Sequence, residues 1–242
     1  MYHSAEIRWV FEGDLARPVV EWFSGGHEAR AEPERVDEYL ALPGCETMGI
    51  KFSEGRLEVK ALTAAPVPTA LAGGSGGLRE GWVKWSLGTD EAGAASDDDW
   101  VLVRKRRRLR KFAIDASGTF EVDPLDRDVD AGCQFELAAL RVLSPSDRPP
   151  GDDPTDWLGG EPWWNVSFEA FGETAHLVDH LDRATAAVLR RPAPHGVEPG
   201  AVALLPGLAG APDPVVKESR GAVICDRCLR PARSRRGGFR EP

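Results

Sequence analysis

The chain has 242 residues, of which 42% are hydrophobic and 29% charged, with a formal net charge of -9 and a pI near 5.2. These values are typical of a folded protein with a sizeable core, and no stretch approaches the roughly 18 apolar residues that a membrane span needs. The acidic balance argues against a general nucleic-acid binder. The first residues lack the basic and apolar regions of a signal peptide, and four cysteines are too few for a disulfide framework, so we expect a cytoplasmic protein.

Short segments that alternate charged and apolar residues indicate about seven half-buried strands. In chain order they are 4–9, 50–53, 56–60, 81–87, the run that begins at Trp100, 133–142 and 163–171. A Glu54-Gly55 turn joins the second and third strands. The pattern predicts a domain dominated by antiparallel sheet.

Two helices are predicted. The segment PERVDEYLAL begins at Pro33 and ends before Pro43-Gly44, and the segment 176–191 places Leu177, Leu181 and Val188 on one apolar stripe.

From Pro192 onward proline and glycine dominate, so we expect one domain over 1–191 and a mostly irregular extension over 192–242.

The polar faces of the strands carry an ordered set of charges. Glutamates mark the first strand and the last two, whereas lysines and arginines mark the strands between them. We therefore expect an α+β fold, an antiparallel closed or nearly closed β-barrel with a few flanking helices and this face turned inward. Such a cavity suits a polyanion held by Lys and Arg, with a divalent cation held by carboxylates. An open sheet with one solvated face is the alternative.

The order of these segments resembles the CYTH superfamily, the triphosphate tunnel enzymes, over roughly residues 1–190. The residues that carry the resemblance are Ser4-x-Glu6-x-Arg8, Val36-Asp37-Glu38-Tyr39-Leu40, Lys51, Leu57-Glu58-Val59-Lys60, Lys84, Lys105-x-Arg107, Phe135-Glu136-Leu137 and Phe168-Glu169. Ser4 and Gly49 depart from the family pattern, because a glutamate and a basic residue are usual at those two positions.

The resemblance implies a metal-dependent hydrolase acting on an inorganic or organic triphosphate. Glu6, Glu136 and Glu169 would be catalytic and would hold Mg²⁺ or Mn²⁺. Phosphates would be bound by Arg8, Lys51, Lys60, Lys84, Lys105 and Arg107. Because Ser4 replaces one carboxylate, the alternative is a non-catalytic scaffold with a degenerate tunnel that binds a phosphorylated ligand or an acidic partner.

Seven of the eight residues from Arg104 to Lys111 are basic. By the family pattern Lys105 and Arg107 would line the tunnel, on one face with Val101 and Val103. The other face carries four arginines, which would pair with acidic loops such as 97–99 or form a docking surface: Arg104, Arg106, Arg108 and Arg110.

Two other patterns carry weaker signals. His176 and His180, with Asp179 nearby, have helical spacing that would let both imidazoles reach one metal, although a solvated helix edge fits the same spacing better. Cys225 and Cys228 have the spacing of half a zinc knuckle without a second pair nearby. The predicted partner is a phosphate-rich small molecule, with no membrane; nothing in the pattern predicts the oligomeric state.

Overall fold

The computed structural model describes residues 1–26, 29–42, 44–74, 76–88, 100–143, 160–191 and 194. The strands are β1 (Tyr2–Glu12), β2 (Arg30–Ala31), β3 (Arg35–Leu40), β4 (Met48–Ser53), β5 (Arg56–Leu62), β6 (Val67–Ala70), β7 (Gly76–Gly88), β8 (Trp100–Ile114), β9 (Thr119–Val122), β10 (Gly132–Leu143) and β11 (Glu161–Phe171). The helices are α1 (Arg17–Ser24) and α2 (Leu177–Leu189). The predicted extension over 192–242, with Cys225 and Cys228, lies outside these residues except for residue 194.

Eight strands form a closed antiparallel barrel, which confirms the predicted fold class. Their order is β1–β11–β10–β8–β3–β4–β5–β7, and β7 pairs back with β1 from Tyr2↔Lys84 to Ile7↔Arg79. Strands β2 and β9 add to β8, and β6 adds to β7. Because the barrel is closed, none of its eight strands presents a free edge along its whole length.

The hairpin between β4 and β5 turns where the sequence predicts. Glu54 and Gly55 both have positive φ, at 50° and 73°, as expected for the two central residues of a type I′ turn. This turn matches the right-handed twist of the flanking strands. It sets Lys51 opposite Glu58 in the ladder.

Helix α1 is absent from the predictions, although the sequence contains its boundaries. Pro18 occupies the first turn, and Gly25 ends the helix at φ 62°, donating its N–H to the carbonyls of Glu21 and Trp22. Val19 and Phe23, four residues apart, are the buried positions. A proline at the start and a glycine pair at the end were the signals that could have found this helix.

Both helices cover the same wall of the barrel and form the main core with it. Phe23 of α1 contacts Phe135, whose ring stacks on Phe168, with both pairs of ring centroids 4.4 Å apart. Helix α2, confirmed with Leu177 and Leu181 buried, packs mainly against β11 and β10. No helix among the described residues is long and apolar enough to cross a lipid bilayer.

A smaller apolar cluster fills part of the barrel interior. It comprises Val10, Val103, Ala138, Leu140 and Trp163. These positions belong to the inward-facing set of their strands, since Val10 is two residues from Arg8 and Val103 is two residues from Lys105. The remaining interior is therefore where polar groups can gather.

The predicted helix that begins at Pro33 is wrong. Residues 35–40 form β3, which pairs with β8 from Arg35↔Lys105 to Leu40↔Trp100 and with β4 at Glu38↔Phe52. Val36 and Tyr39 favour strand by intrinsic preference, and the alternation of Arg35, Asp37 and Tyr39 is the inward face of a strand. The spacing of the apolar residues fits a helix as well as a strand, and pairing with distant strands decides between the two.

Candidate functional site

Each of the eight barrel strands turns charged side chains inward, and all nine predicted site residues lie on this inward face. Ladder partners such as Glu6↔Glu169, Lys60↔Lys84 and Lys51↔Glu58 continue the same face from strand to strand. The charged interior groups that make contacts or shift one another's pKa are Glu6, Arg8, Arg35, Asp37, Lys51, Glu58, Lys60, Glu80, Lys84, Lys105, Arg107, Glu136 and Glu169.

Asp37 is the centre of one ion-pair cluster and is fully buried. Its carboxylate lies 2.9 Å from Lys105 Nζ, 3.4 Å from Lys51 Nζ and 3.1 Å from Arg35 Nε. Ser53 donates a hydrogen bond of 2.6 Å to Oδ1, the oxygen that Arg35 also contacts, whereas both lysines contact Oδ2. Burial alone would raise the pKa of Asp37, but Lys105, Lys51 and Arg35 outweigh it and hold the pKa well below the usual range.

Glu6 is the centre of a second cluster on the opposite side of the barrel. Lys60 Nζ donates to both carboxylate oxygens, at 2.6 Å for Oε2, and Ser4 Oγ donates to Oε1 at 2.7 Å. Arg8 Nη2 lies 3.5 Å from Oε2. Burial opposes ionisation here too, yet Lys60 and Arg8 lower the pKa of Glu6.

Two further carboxylates, Glu58 and Glu136, pair with interior cations. Glu58 lies between Lys51, at 3.0 Å, and Lys84, at 2.9 Å. Glu136 lies 3.3 Å from Arg107, which also pairs with Glu32. The cations predicted to bind phosphate therefore already hold carboxylates.

Glu80 and Glu169 differ from the other interior carboxylates. Burial raises the pKa of Glu80, which accepts a 3.1 Å hydrogen bond from Trp82 Nε1. Burial, and then the charge of neighbouring Glu6, raises the pKa of Glu169. Both shifts favour the protonated form more than in an exposed carboxyl group.

Water reaches parts of several interior cations. The side chains of Arg8 and Lys60 keep 25% of their surface exposed, and Lys84 keeps 32%, although all three point into a closed barrel. Arg8 Nε is buried and has no hydrogen-bond partner among the described residues. A partly exposed guanidinium with an unused donor can bind an anionic ligand.

The predicted face of the 104–111 run is confirmed. Lys105 reaches Asp37, and Arg107 reaches Glu136, both inside the barrel. Outside, Arg106 pairs with Glu34, while Arg110 is buried and donates to Glu121 and to the carbonyl of Phe23. Residues 97–99, the expected partners of these arginines, lie outside the described residues.

The three carboxylates predicted to hold a metal do not form one cluster. Glu6 and Glu169 are direct ladder partners, but Glu136 is engaged by Arg107. No group of three or more His, Cys, Asp or Glu side chains suited to a metal ion occurs in the described part of the chain, the region of His176 and His180 included. His180 Nδ1 instead lies 3.1 Å from the carbonyl of Phe171. The metal assignment stays a prediction.

Sequence reasoning assigned no role to Asp37, Arg35, Ser53 or Glu80. Asp37 and Arg35 were hidden by the helix assigned to their segment, because helical spacing puts them on different faces. Reading 35–40 as a strand would have aligned Arg35, Asp37 and Tyr39. Glu80 lies just before the strand predicted from residue 81, so a strand begun earlier would have included it.

Comparison with known proteins adds no further assignment. No protein-family model matches this sequence, and no curated protein matches it. The geometry of the barrel interior is therefore the basis for inferring what the chain binds.

Replacing Glu80 with Gln should change the free energy of unfolding by less than about 1 kcal/mol, because Gln can still accept the Trp82 hydrogen bond. A raised folded-state pKa means that ionisation costs stability as pH rises above the unfolded value of 4.5. The variant should therefore match or exceed the parent at pH 8, with a smaller advantage at pH 5. Thermal unfolding at both pH values checks this, and a lower melting temperature for the variant at pH 8 would contradict it.

Proposed function

We propose that the barrel binds a triphosphate, inorganic or organic, in its interior. The observation that carries the proposal is the set of cations on the inward face, above all Arg8 with its unpartnered Nε. Seven interior cations line this face, each in contact with at least one carboxylate, and burial raises the pKa of two further interior carboxylates, Glu80 and Glu169. In a chain of net charge -9, this gathers cations where a compact polyanion would be held.

The arrangement of these cations suits several phosphates better than one. Arg8, Lys60 and Lys84 lie around one side of the interior, and Lys51, Lys105 and Arg107 lie around the other. Each of these six side chains could release its carboxylate partner and bind a phosphate oxygen from its present position on the barrel wall. Lys and Arg form charge-assisted hydrogen bonds with phosphate, and the guanidinium of Arg can do so in bidentate geometry.

Hydrolysis is the catalytic form of this proposal. Glu6 and Glu169, as adjacent carboxylates, would hold Mg²⁺ or Mn²⁺. Glu136 would become a third ligand once a phosphate takes its place as the partner of Arg107. Such a metal would neutralise phosphate charge and orient water toward the terminal phosphorus. Burial and then repulsion from Glu6 raise the pKa of Glu169. A cation held by both carboxylates would relieve that repulsion.

Non-catalytic binding is the second candidate, and two observations favour it. Ser4, at a position where the family has a carboxylate, donates to Glu6 instead of offering a metal ligand. The described residues also contain no three-membered metal cluster. In this form the barrel binds the polyanion without a metal and releases it unchanged.

Binding should appear as thermal stabilisation of the chain. At an inorganic triphosphate concentration of about 100 times Kd, the expected gain is about 2.7 kcal/mol, or about 5–10 °C for a chain of this size. Sulfate at the same ionic strength is the control for general salt effects. No shift beyond that of sulfate would remove both forms of the proposal.

Phosphate release separates the two forms. Inorganic triphosphate and ATP would be incubated with Mg²⁺, with Mn²⁺ and with EDTA, using the unmodified chain and Glu136→Ala. Release that needs metal and is lost in Glu136→Ala supports hydrolysis. Stabilisation without release supports a binding protein, and metal-dependent release that persists in Glu136→Ala removes this carboxylate from the mechanism.

A further inference from the structure

A cavity of about 370 Å³ lies on the outer side of the barrel, beside the segment that joins β1 to α1. Strands β8 and β10, which pair along their length, form its floor. The cavity is distinct from the barrel interior, because its β8 residues alternate with Lys105 and Arg107, which point inward. We call it the arginine cavity after four of its lining residues: Arg104, Arg106, Arg108 and Arg141.

The wall of the arginine cavity is held in place by two contacts. The N–H of Gly13 donates to the carbonyl of Pro162 on β11 at 2.9 Å, and Arg141 Nη2 on β10 lies 2.7 Å from Asp14 Oδ1. These contacts attach the segment before α1 to two strands of the barrel. The cavity is therefore bounded by backbone whose position the fold determines.

The charges that line the arginine cavity do not balance. Its four arginines face two carboxylates, Asp14 and Glu34, which leaves an excess of two positive charges in a chain of net charge -9. Glu34 is shared, because it lies 3.1 Å from Arg106 Nη2 and 3.6 Å from Arg104 Nε. Arg108 is partly exposed and forms no hydrogen bond or ion pair with any residue that the structure describes. An anion in the cavity would give Arg108 a partner and offset the excess charge.

The rest of the lining is largely apolar. Leu137 and Ala139 are the β10 neighbours of two of the arginines, and Leu15 and Val20 come from the segment around the start of α1. A ligand that fits this lining combines an anionic group with an apolar body. The volume lies near the lower end of the range of about 300–1,000 Å³ for small-molecule sites, which favours a compact organic molecule.

The arrangement of the arginines favours phosphate over carboxylate as the anionic group. Arg106 and Arg108 are two positions apart on one face of β8, so their Cα atoms are about 6.6–6.8 Å apart and both long side chains can reach one anion. A phosphate monoester offers three acceptor oxygens and a charge of about -1.5 to -2 at pH 7. That charge matches the excess of the cavity, whereas a carboxylate supplies a single charge.

We propose that the arginine cavity binds a small organic phosphate monoester. Arg106 and Arg108 would hold the phosphate group, and Leu137 would contact the apolar body of the ligand. The cavity lies on the opposite side of β8 from the interior cations. The proposal therefore goes beyond triphosphate binding in the barrel and does not depend on it.

Titration of the full chain with phenyl phosphate, followed by phosphorus NMR, tests the proposal. A Kd of about 0.1–1 mM is expected for a ligand of this size. Arg108→Gln should weaken binding by at least about 10-fold through the loss of charge-assisted hydrogen bonds. This variant should stay folded, because it removes no contact with a described residue. Arg127→Gln is the control for net charge and should bind as the parent does, since Arg127 is exposed elsewhere on the chain.

Two other ligands test the chemical class. Benzoate has the ring but a single charge, and inorganic phosphate has the charge but no apolar body. Each should bind at least about 5-fold more weakly than phenyl phosphate. Equal affinity for benzoate would overturn the phosphate assignment, and equal affinity for inorganic phosphate would overturn the apolar contact.

The variant Arg8→Gln separates this cavity from the barrel interior. It should leave phenyl phosphate binding unchanged while it weakens triphosphate binding, and Arg108→Gln should do the reverse. Phenyl phosphate affinity that is unchanged in Arg108→Gln places the ligand elsewhere and overturns the proposal, whatever Arg8→Gln does. Absence of binding at about 10 mM phenyl phosphate overturns it as well and leaves the triphosphate proposal standing.

Discussion

Replacing Asp37 with Asn is expected to lower the free energy of unfolding by about 3–5 kcal/mol, the cost of removing one partner from a buried ion-pair cluster. Asp37 has no exposed surface, and its carboxylate is shared by Lys105, Lys51 and Arg35. An amide keeps the size of the side chain but removes the buried charge that the three cations share, although Lys51 keeps Glu58 and Arg35 keeps Glu54 as partners. Denaturant unfolding of the two chains at pH 7 measures the difference.

The matched control is Asp14→Asn. Asp14 also forms a close ion pair, 2.7 Å from Arg141, but 78% of its side chain is exposed. Loss of an exposed pair should cost less than about 1 kcal/mol. If the two variants were destabilised equally, the Asp37 cluster would have no special role in the barrel.

The same cluster sets an acid limit on stability. The pKa of Asp37 is lower in the folded chain than its unfolded value of 3.8, so its contribution is fully present well above pH 3.8 and is lost as pH falls below that value. The parent should therefore lose stability steeply below about pH 5, whereas Asp37→Asn should lose less over the same interval. Parallel stability profiles for the two chains between pH 5 and 2 would contradict this assignment.

Replacing Arg8 with Gln is expected to weaken inorganic triphosphate binding by about 10- to 100-fold, the range for losing charge-assisted hydrogen bonds. Arg8 keeps 25% of its side chain exposed inside the barrel, and its buried Nε lacks a partner in the described part of the chain. Glu6 retains Lys60 and Ser4 after this change, so the barrel should stay folded. Calorimetric titration with and without Mg²⁺ measures the affinity.

Arg127→Gln is the control for the change in net charge, because Arg127 is exposed on the outer surface. It should bind triphosphate as tightly as the parent. Equal affinities for Arg8→Gln and Arg127→Gln would place the ligand away from Arg8 and would remove the observation on which the proposed function rests. A melting temperature for Arg8→Gln close to that of the parent establishes that the binding loss is local.

Much of the barrel could be predicted because strand alternation is a local property. Alternation alone grouped the residues of β1, β5 and β11 by face, since side chains of a strand point to opposite faces in turn. The family resemblance predicted Lys105 and Arg107 inside and Arg106 outside, where the structure places them. Helix α2 was predictable for a similar reason, because its apolar stripe repeats with the helical period.

Segment 35–40 marks where local reasoning failed. Val36, Tyr39 and Leu40 fit the apolar side of a short helix as well as they fit a strand, and six residues are too few to separate the two periods. Pairing with β8 and the burial of Asp37 among cations from β4 and β8 decided the structure. Neither partner strand is adjacent to this segment in sequence.

The sequence by itself determined which side of each strand is charged and which is apolar, because that follows from positions two residues apart. Only the tertiary structure decided which charge meets which: Lys60 reaches Glu6 across 54 positions of sequence, and Lys105 reaches Asp37 through the β3–β8 ladder. Strand order and closure set those pairs, and both depend on hydrogen bonding between distant segments. The same closure brings the charged faces of eight strands around one interior.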